Sequence, residues 1–206
     1  MKYLIINILL ILSISLCAES LPAADEFQQR LSESLVAVQT IQSDFTQIRE
    51  MPALEMKLEF TGRLAYDSAS KRLLWRVEKP LPCAFRMQEN QLSQWDGETG
   101  KVLSISATKL PWLKLLQERL GQWLSGDLPT LRKEADVTIV AANVVRLTPN
   151  DGMLASIAKA VEIEFSDDLT RVVRIRIEEK SGDILTIQFH NAVLNQPIPA
   201  EIWELK

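Results

Sequence analysis

Apolar and polar residues alternate along much of this chain. The clearest stretch sets Met56, Leu58, Phe60, Leu64 and Tyr66 against Lys57, Glu59, Thr61, Arg63 and Asp67. A period of two is the signature of a strand with one buried face. Gly62 falls on the apolar side, where a glycine marks a bend or a close backbone approach. The same alternation returns at Leu73, Trp75 and Val77, at Val161, Ile163 and Phe165, at Val173, Ile175 and Ile177, and at Leu185, Ile187 and Phe189.

Turn chemistry separates these runs at Asp67-Ser68-Ala69-Ser70, Asp96-Gly97-Glu98-Thr99-Gly100, Pro149-Asn150-Asp151-Gly152, Ser166-Asp167-Asp168 and Ser181-Gly182-Asp183. Less regular strands are expected near 44–50, 83–88, 91–96, 101–106, 135–140 and 143–148, which brings the total to about eleven. Short connections make neighbours antiparallel, and such a meander curls into a barrel or half-barrel. Each strand offers one apolar face, so helices must cover the concave side or the sheet must close on itself.

Two segments follow a helical period instead. Asp25 is an N-cap candidate, and Phe27, Leu31, Leu35, Val38 and Ile41 recur at three- and four-residue spacing through about Gln42. Gln28, Gln29, Arg30, Ser32 and Glu33 fill the opposite face. Pro111 to Ser125 is the most apolar helix candidate of the mature chain, with Trp112, Leu113, Leu115, Leu116, Leu120, Trp123 and Leu124. Its polar face is too narrow for a simple surface helix. The pattern fits a core helix or a lid over a hydrophobic opening.

The start of the chain has a different purpose. Lys2 precedes an apolar run from Tyr3 to Leu12, followed by small and apolar residues up to Cys17. This reads as a secretory signal peptide over residues 1–20, leaving one domain over 21–206 and an exported, periplasmic protein. Ile14-Ser15-Leu16-Cys17 is a loose version of a lipid-attachment box, but Leu16 stands where a small residue belongs. Anchoring through Cys17 is therefore the alternative to a soluble product. Removal of residues 1–20 leaves Cys83 alone, so no internal disulfide is expected. Cys83 reads as a small buried hydrophobe at a strand start.

Charge and composition narrow the chemistry. The chain has 206 residues, 23 basic against 27 acidic, for a net charge of -4 that removal of residues 1–20 does not change. That balance argues against a nucleic-acid partner. One His and two Cys rule out zinc frameworks, and no phosphate loop, Cys-x-x-Cys, His-Glu-x-x-His or Gly-x-Ser-x-Gly motif occurs. His190, at a strand end, reads as structural rather than as a base. Glu162 with Glu164 and Asp167 with Asp168 read as a solvated face and a turn, and Arg171, Arg174, Arg176 and Lys180 as mixed surface charge. No cofactor and no enzymatic activity are expected. What remains is apolar surface, which binds acyl chains by excluding water and needs no ionisable group.

Several stretches, in order, resemble the LolA family of periplasmic lipoprotein carriers. They are Ile41-Gln42-Ser43-Asp44-Phe45-Thr46-Gln47, then Phe60-x-Gly62-x-Leu64, then Leu74-Trp75-x-Val77-x-x-x-Pro80, then Gln94-Trp95-Asp96-Gly97, and Phe189-His190-Asn191 with Asn195 and Ile198. The resemblance implies a mainly β fold, an unclosed antiparallel barrel of about eleven strands with helices covering the open mouth. It also implies a monomeric carrier of a lipoprotein or other acylated amphiphile, passing between an inner-membrane donor and an outer-membrane acceptor. On that model Phe45, Phe60, Leu64, Leu73 and Trp75 line the cavity, while Leu113, Leu116, Leu120 and Trp123 belong to the lid. One departure is that Asp67-Ser68-Ala69-Ser70, with Lys71 and Arg72 beyond it, stands where the family carries a lid-locking Arg. A noncatalytic envelope module that binds another protein, with a filled core, is the alternative reading.

Overall fold

A computed structural model describes residues 24–35, 38–88, 91–105, 132–133, 135–150 and 152–206. Its frame is a single antiparallel sheet of eleven strands. The strands are β1 (Thr40–Met51), β2 (Met56–Asp67), β3 (Arg72–Lys79), β4 (Cys83–Gln88), β5 (Gln91–Asp96), β6 (Val102–Ile105), β7 (Ala135–Ala141), β8 (Val144–Pro149), β9 (Ala158–Phe165), β10 (Val172–Glu179) and β11 (Ile184–Leu194). Helix α1 (Ala24–Leu35) precedes them, and a short helix α2 (Gly152–Ile157) joins β8 to β9.

The order across the sheet is β6-β5-β4-β3-β2-β1-β11-β10-β9-β8-β7. Two meanders, β1 to β6 and β7 to β11, are thus sewn together by one pairing between strands far apart in sequence. In it Phe45 faces Phe189 and Gln47 faces Ile187. The sheet is not closed: β6 and β7 are its two edges. The sequence places a strand near each of the eleven, five of them by clear alternation, but only the fold reveals the β1–β11 seam.

The main core lies on one face of the sheet, here the inner face. Phe27, Leu31 and Leu35 of α1 join Ile41, Phe45, Leu64, Leu73, Trp75, Met87, Val161, Ile163, Ile175, Leu185 and Ile187 in one buried cluster. The apolar stripe of α1 therefore covers the sheet, as a stripe of that width must.

The helix is shorter than its periodicity suggests. It ends at Leu35, and Thr40 already pairs with Asp67 in the β1–β2 ladder. Ile41 fits both the helical series and the strand series Ile41, Ser43, Phe45. Pairing to both β2 and β11 decides in favour of the strand, because a central strand satisfies its backbone groups on both sides. Gly152 to Ile157, expected to begin as a turn, winds into α2 and buries Leu154.

β3 departs from the rule of one apolar face per strand. Leu73 and Trp75 point inward, whereas Leu74 belongs to a second cluster on the outer face with Ala65, Ala84 and Trp203. The C-terminal segment covers that cluster. Arg76 donates to the carbonyl oxygens of Glu204 and Lys206 at 2.6 and 2.7 Å, and Arg86 donates to that of Trp203 at 3.0 Å. Arg72, on the same outer side, lies 4.9 Å above the Trp203 ring and donates to Gln88. The turn before it is self-contained, since Asp67 accepts hydrogen bonds from the backbone of Ala69 and the hydroxyl of Ser70. Arg72 is thus committed to the C-terminal segment on the outer face.

Candidate functional site

Alternation on three strands builds the centre of the inner face. β1 contributes Phe45, β3 contributes Trp75 and β11 contributes Phe189. The Phe45 and Trp75 rings stack with centroids 4.0 Å apart and planes at 27°, and Phe189 meets Trp75 edge-on at 6.4 Å and 87°. Such contacts add about 0.5–1.5 kcal/mol beyond burial.

Gly62 makes the stack possible. It lies opposite Phe45 in the β1–β2 ladder, and a side-chain carbon there would sit 2.8 Å from the tip of the Phe45 ring and 1.9 Å from the Arg76 carbonyl oxygen. The β2–β3 register shifts at the same point, between Thr61 and Gly62. The close backbone approach anticipated for this glycine is therefore real.

Of the cavity-wall residues expected from the sequence, Phe45, Leu64, Leu73 and Trp75 are buried together in the inner cluster, while Phe60 is half-buried at its margin. Phe189 is not among the expected wall residues, although it belongs to a strand pattern and to the Phe189-His190-Asn191 stretch of the family resemblance. Its alternation with Leu185 and Ile187 was the available signal. Leu113, Leu116, Leu120 and Trp123 lie outside the described residues.

Beside this stack an apolar gap of about 20 Å³ opens among Ile41, Leu64, Val172, Phe189 and Ala192. That is room for about one water molecule. Larger recesses, of about 210 and 380 Å³, lie on the outer face beside the C-terminal segment. They share Arg63, Leu74 and Ile202, and their rims mix Asp44, Glu78 and Glu201 with Arg76 and Lys206. Leu64 alone connects them to the expected wall.

The polar residues considered for chemistry are occupied structurally. The Ser43 hydroxyl donates to the backbone carbonyl of His190 at 2.7 Å, and the exposed His190 ring lies 3.3 Å from the Thr46 hydroxyl. Glu162, Glu164 and Glu178 enter a cross-strand ladder on the outer face. Arg146 meets Glu162 at 2.6 Å, Arg174 meets Glu164 at 2.6 Å, and Arg176 meets Glu178 at 2.5 Å. The hydrogen bond from Arg176 holds the Glu178 carboxyl below its ordinary range. Cys83 is half-buried against the core, and burial raises its thiol pKa, as expected of a packing residue. Among the described residues no cluster of three or more His, Cys, Asp or Glu could hold a metal ion.

Residues 36–206 match the family described as outer membrane lipoprotein carrier protein LolA. The chain belongs to the LolA family. Solved structures similar to this LolA-family chain include MucB, at 13% identity and a TM-score of 0.52, with 90% of this chain and 64% of that one covered. The MucA/MucB complex of Pseudomonas aeruginosa matches at 12% identity and 0.52, covering 87% and 59%. The chain thus spans about two thirds of the MucB chains it resembles. The LolA superfamily protein NE2245 of Nitrosomonas europaea matches at 13% identity and 0.46, covering 88% and 97%. No curated protein sequence matches the chain. At these identities the MucB matches show the fold alone, which with the family match is an unclosed antiparallel sheet of the LolA type.

Proposed function

We propose that this LolA-family protein is exported by a signal peptide over residues 1–20 and works as a monomeric periplasmic carrier. It takes the acyl chains of a lipoprotein or related amphiphile onto its apolar inner face. An inner-membrane donor loads it and an outer-membrane acceptor receives the cargo, with no covalent step. The observation that carries this reading is the family match over residues 36–206, joined to a continuous inner surface centred on Phe45, Trp75 and Phe189.

Burial supplies about 0.8 kcal/mol per methylene, so part of one acyl chain gives useful affinity. Among the described residues the apolar gap beside the stack is about 20 Å³, which does not itself hold such a chain, and in this reading cargo enters by displacing elements packed on the inner face, of which α1 is one. In this reading the 111–125 segment is the lid, and Leu113, Leu116, Leu120 and Trp123 complete the cavity.

The close packing of the described inner-face residues around Trp75 also favours a second reading, a noncatalytic module that binds another envelope protein. Native mass spectrometry of the protein, purified from its own periplasm without detergent, separates the two. A stoichiometric adduct of amphiphile mass is the expected result for a carrier. An apo mass unchanged by titration with phospholipids and acylated peptides would move the assignment to the interaction module.

A further inference from the structure

The hairpin of β1 and β2 reaches past the rest of its half of the sheet. β2 pairs with β3 only from Thr61, opposite Lys79, so among the described residues the edge of β2 from Met56 to Phe60 has no strand beside it on that side. The other side of the hairpin is firmly held. β1 pairs with β11 as far as Glu50 with Ile184, and Arg49 donates to Glu179 and Asp183, each at 2.8 Å. The result is a supported ribbon with one open backbone edge.

That edge has a patterned surface. Met56, Leu58 and Phe60 alternate onto the inner side, with Met56 48% and Leu58 37% exposed, and Leu54 at the tip is 64% exposed. Lys57 and Glu59 project from the other side and are exposed. Free edges are templates for another strand, and contiguous exposed apolar residues on one of them mark a contact surface.

We infer that the Met56–Phe60 edge is a docking site for an extended strand of a partner protein, added to β2 by main-chain hydrogen bonds. The backbone groups require an extended polypeptide. Met56, Leu58 and Phe60 require apolar residues at alternate positions, and Lys57 and Glu59 require an acidic and a basic residue between them. Glu55 at the tip and Glu59 disfavour an anionic lipid surface as the occupant. Phe60 also belongs to the expected cavity wall, but the inference does not depend on the carrier reading, because it rests on the unpaired backbone edge of the hairpin.

Two soluble acetylated peptides, centred on Val-Lys-Val-Glu-Val and Val-Glu-Val-Lys-Val, are the probes, with amide hydrogen exchange and NMR titration of the mature protein as readouts. Paired antiparallel to β2, as every strand of the sheet is to its neighbours, Val-Lys-Val-Glu-Val sets its Lys opposite Glu59 and its Glu opposite Lys57, so it should bind about tenfold more tightly and protect amides within residues 56–60. In the double variant K57E/E59K the order of preference should invert. This variant changes exposed residues only, and its folded state is checked by the unaltered spectrum of the β9–β10 hairpin. Unchanged preference, protection elsewhere, or no protection by either peptide would overturn the proposal. So would tighter association of the hairpin with phosphatidylglycerol vesicles than with either peptide.

Discussion

Phe45 faces Gly62 directly across the β1–β2 ladder, and the missing side chain of Gly62 is what admits the Phe45 ring beside Trp75. A methyl group at position 62 would have to move the backbone of β3 at Arg76 and not merely a flexible side chain. Gly62→Ala should therefore destabilise the protein by at least about 1–3 kcal/mol, as overpacking does. Urea denaturation checks this, and an unchanged midpoint would refute the stated role of Gly62.

Trp75 is fully buried at the centre of the inner face. Trp75→Ala should cost about 3–5 kcal/mol, the usual loss for a large aromatic truncated in a core. If the inner face carries cargo, a folded Phe189→Asp variant should lose affinity for acylated peptides, since it places a carboxylate beside Trp75. Isothermal titration of the variant against wild type measures the loss.

The lid assignment has its own test. Leu116→Asp or Trp123→Asp should weaken retention of an acylated peptide while leaving the circular dichroism of the sheet unchanged. Normal retention by either folded variant would remove these residues from the cargo site.

On the outer face, Trp203 fastens the C-terminal segment through burial, the Arg72 guanidinium above its ring and the Arg86 bond to its carbonyl. Trp203→Ala should cost about 3 kcal/mol or more. The Arg72 part should appear as a coupling of roughly 0.5–1 kcal/mol in a double-mutant cycle with Arg72→Ala. Chemical denaturation of the four proteins supplies the cycle.

The β9–β10 turn predicts a pH effect. Hydrogen bonds from the Ser166 hydroxyl and from Thr170 lower the Asp168 pKa from 3.8 to about 2. A carboxyl depressed in the folded state stabilises it above the unfolded pKa and loses that contribution as pH falls through the folded value. The stability difference between wild type and Asp168→Asn should thus be constant from neutrality to about pH 5 and shrink between about pH 4 and pH 2. Denaturation series at pH 6 and pH 2.5 would show it. Because the turn is exposed, the effect is small.

The five most regular strands, with Leu64, Leu73 and Trp75 on their apolar faces, were legible in the sequence, because alternation is a local consequence of the strand's two-residue period, whereas Phe45 was placed inward only by the family resemblance. The role of Gly62 was legible for a similar reason, a glycine interrupting an apolar row. Ile41 shows where local information stops: it satisfies a helical and a strand period equally, and only partners from β2 and β11 choose between them. The same holds for Leu74, whose burial depends on a C-terminal segment more than 120 residues away, and for the aromatic stack, which exists because the β1–β11 seam brings Phe189 to Trp75. Periodicity belongs to the chain, whereas the seam, the covered outer face and the open β2 edge arise from contacts between residues distant in sequence. Short turns encode which consecutive strands lie side by side, but no local pattern encodes which strands distant in the chain do.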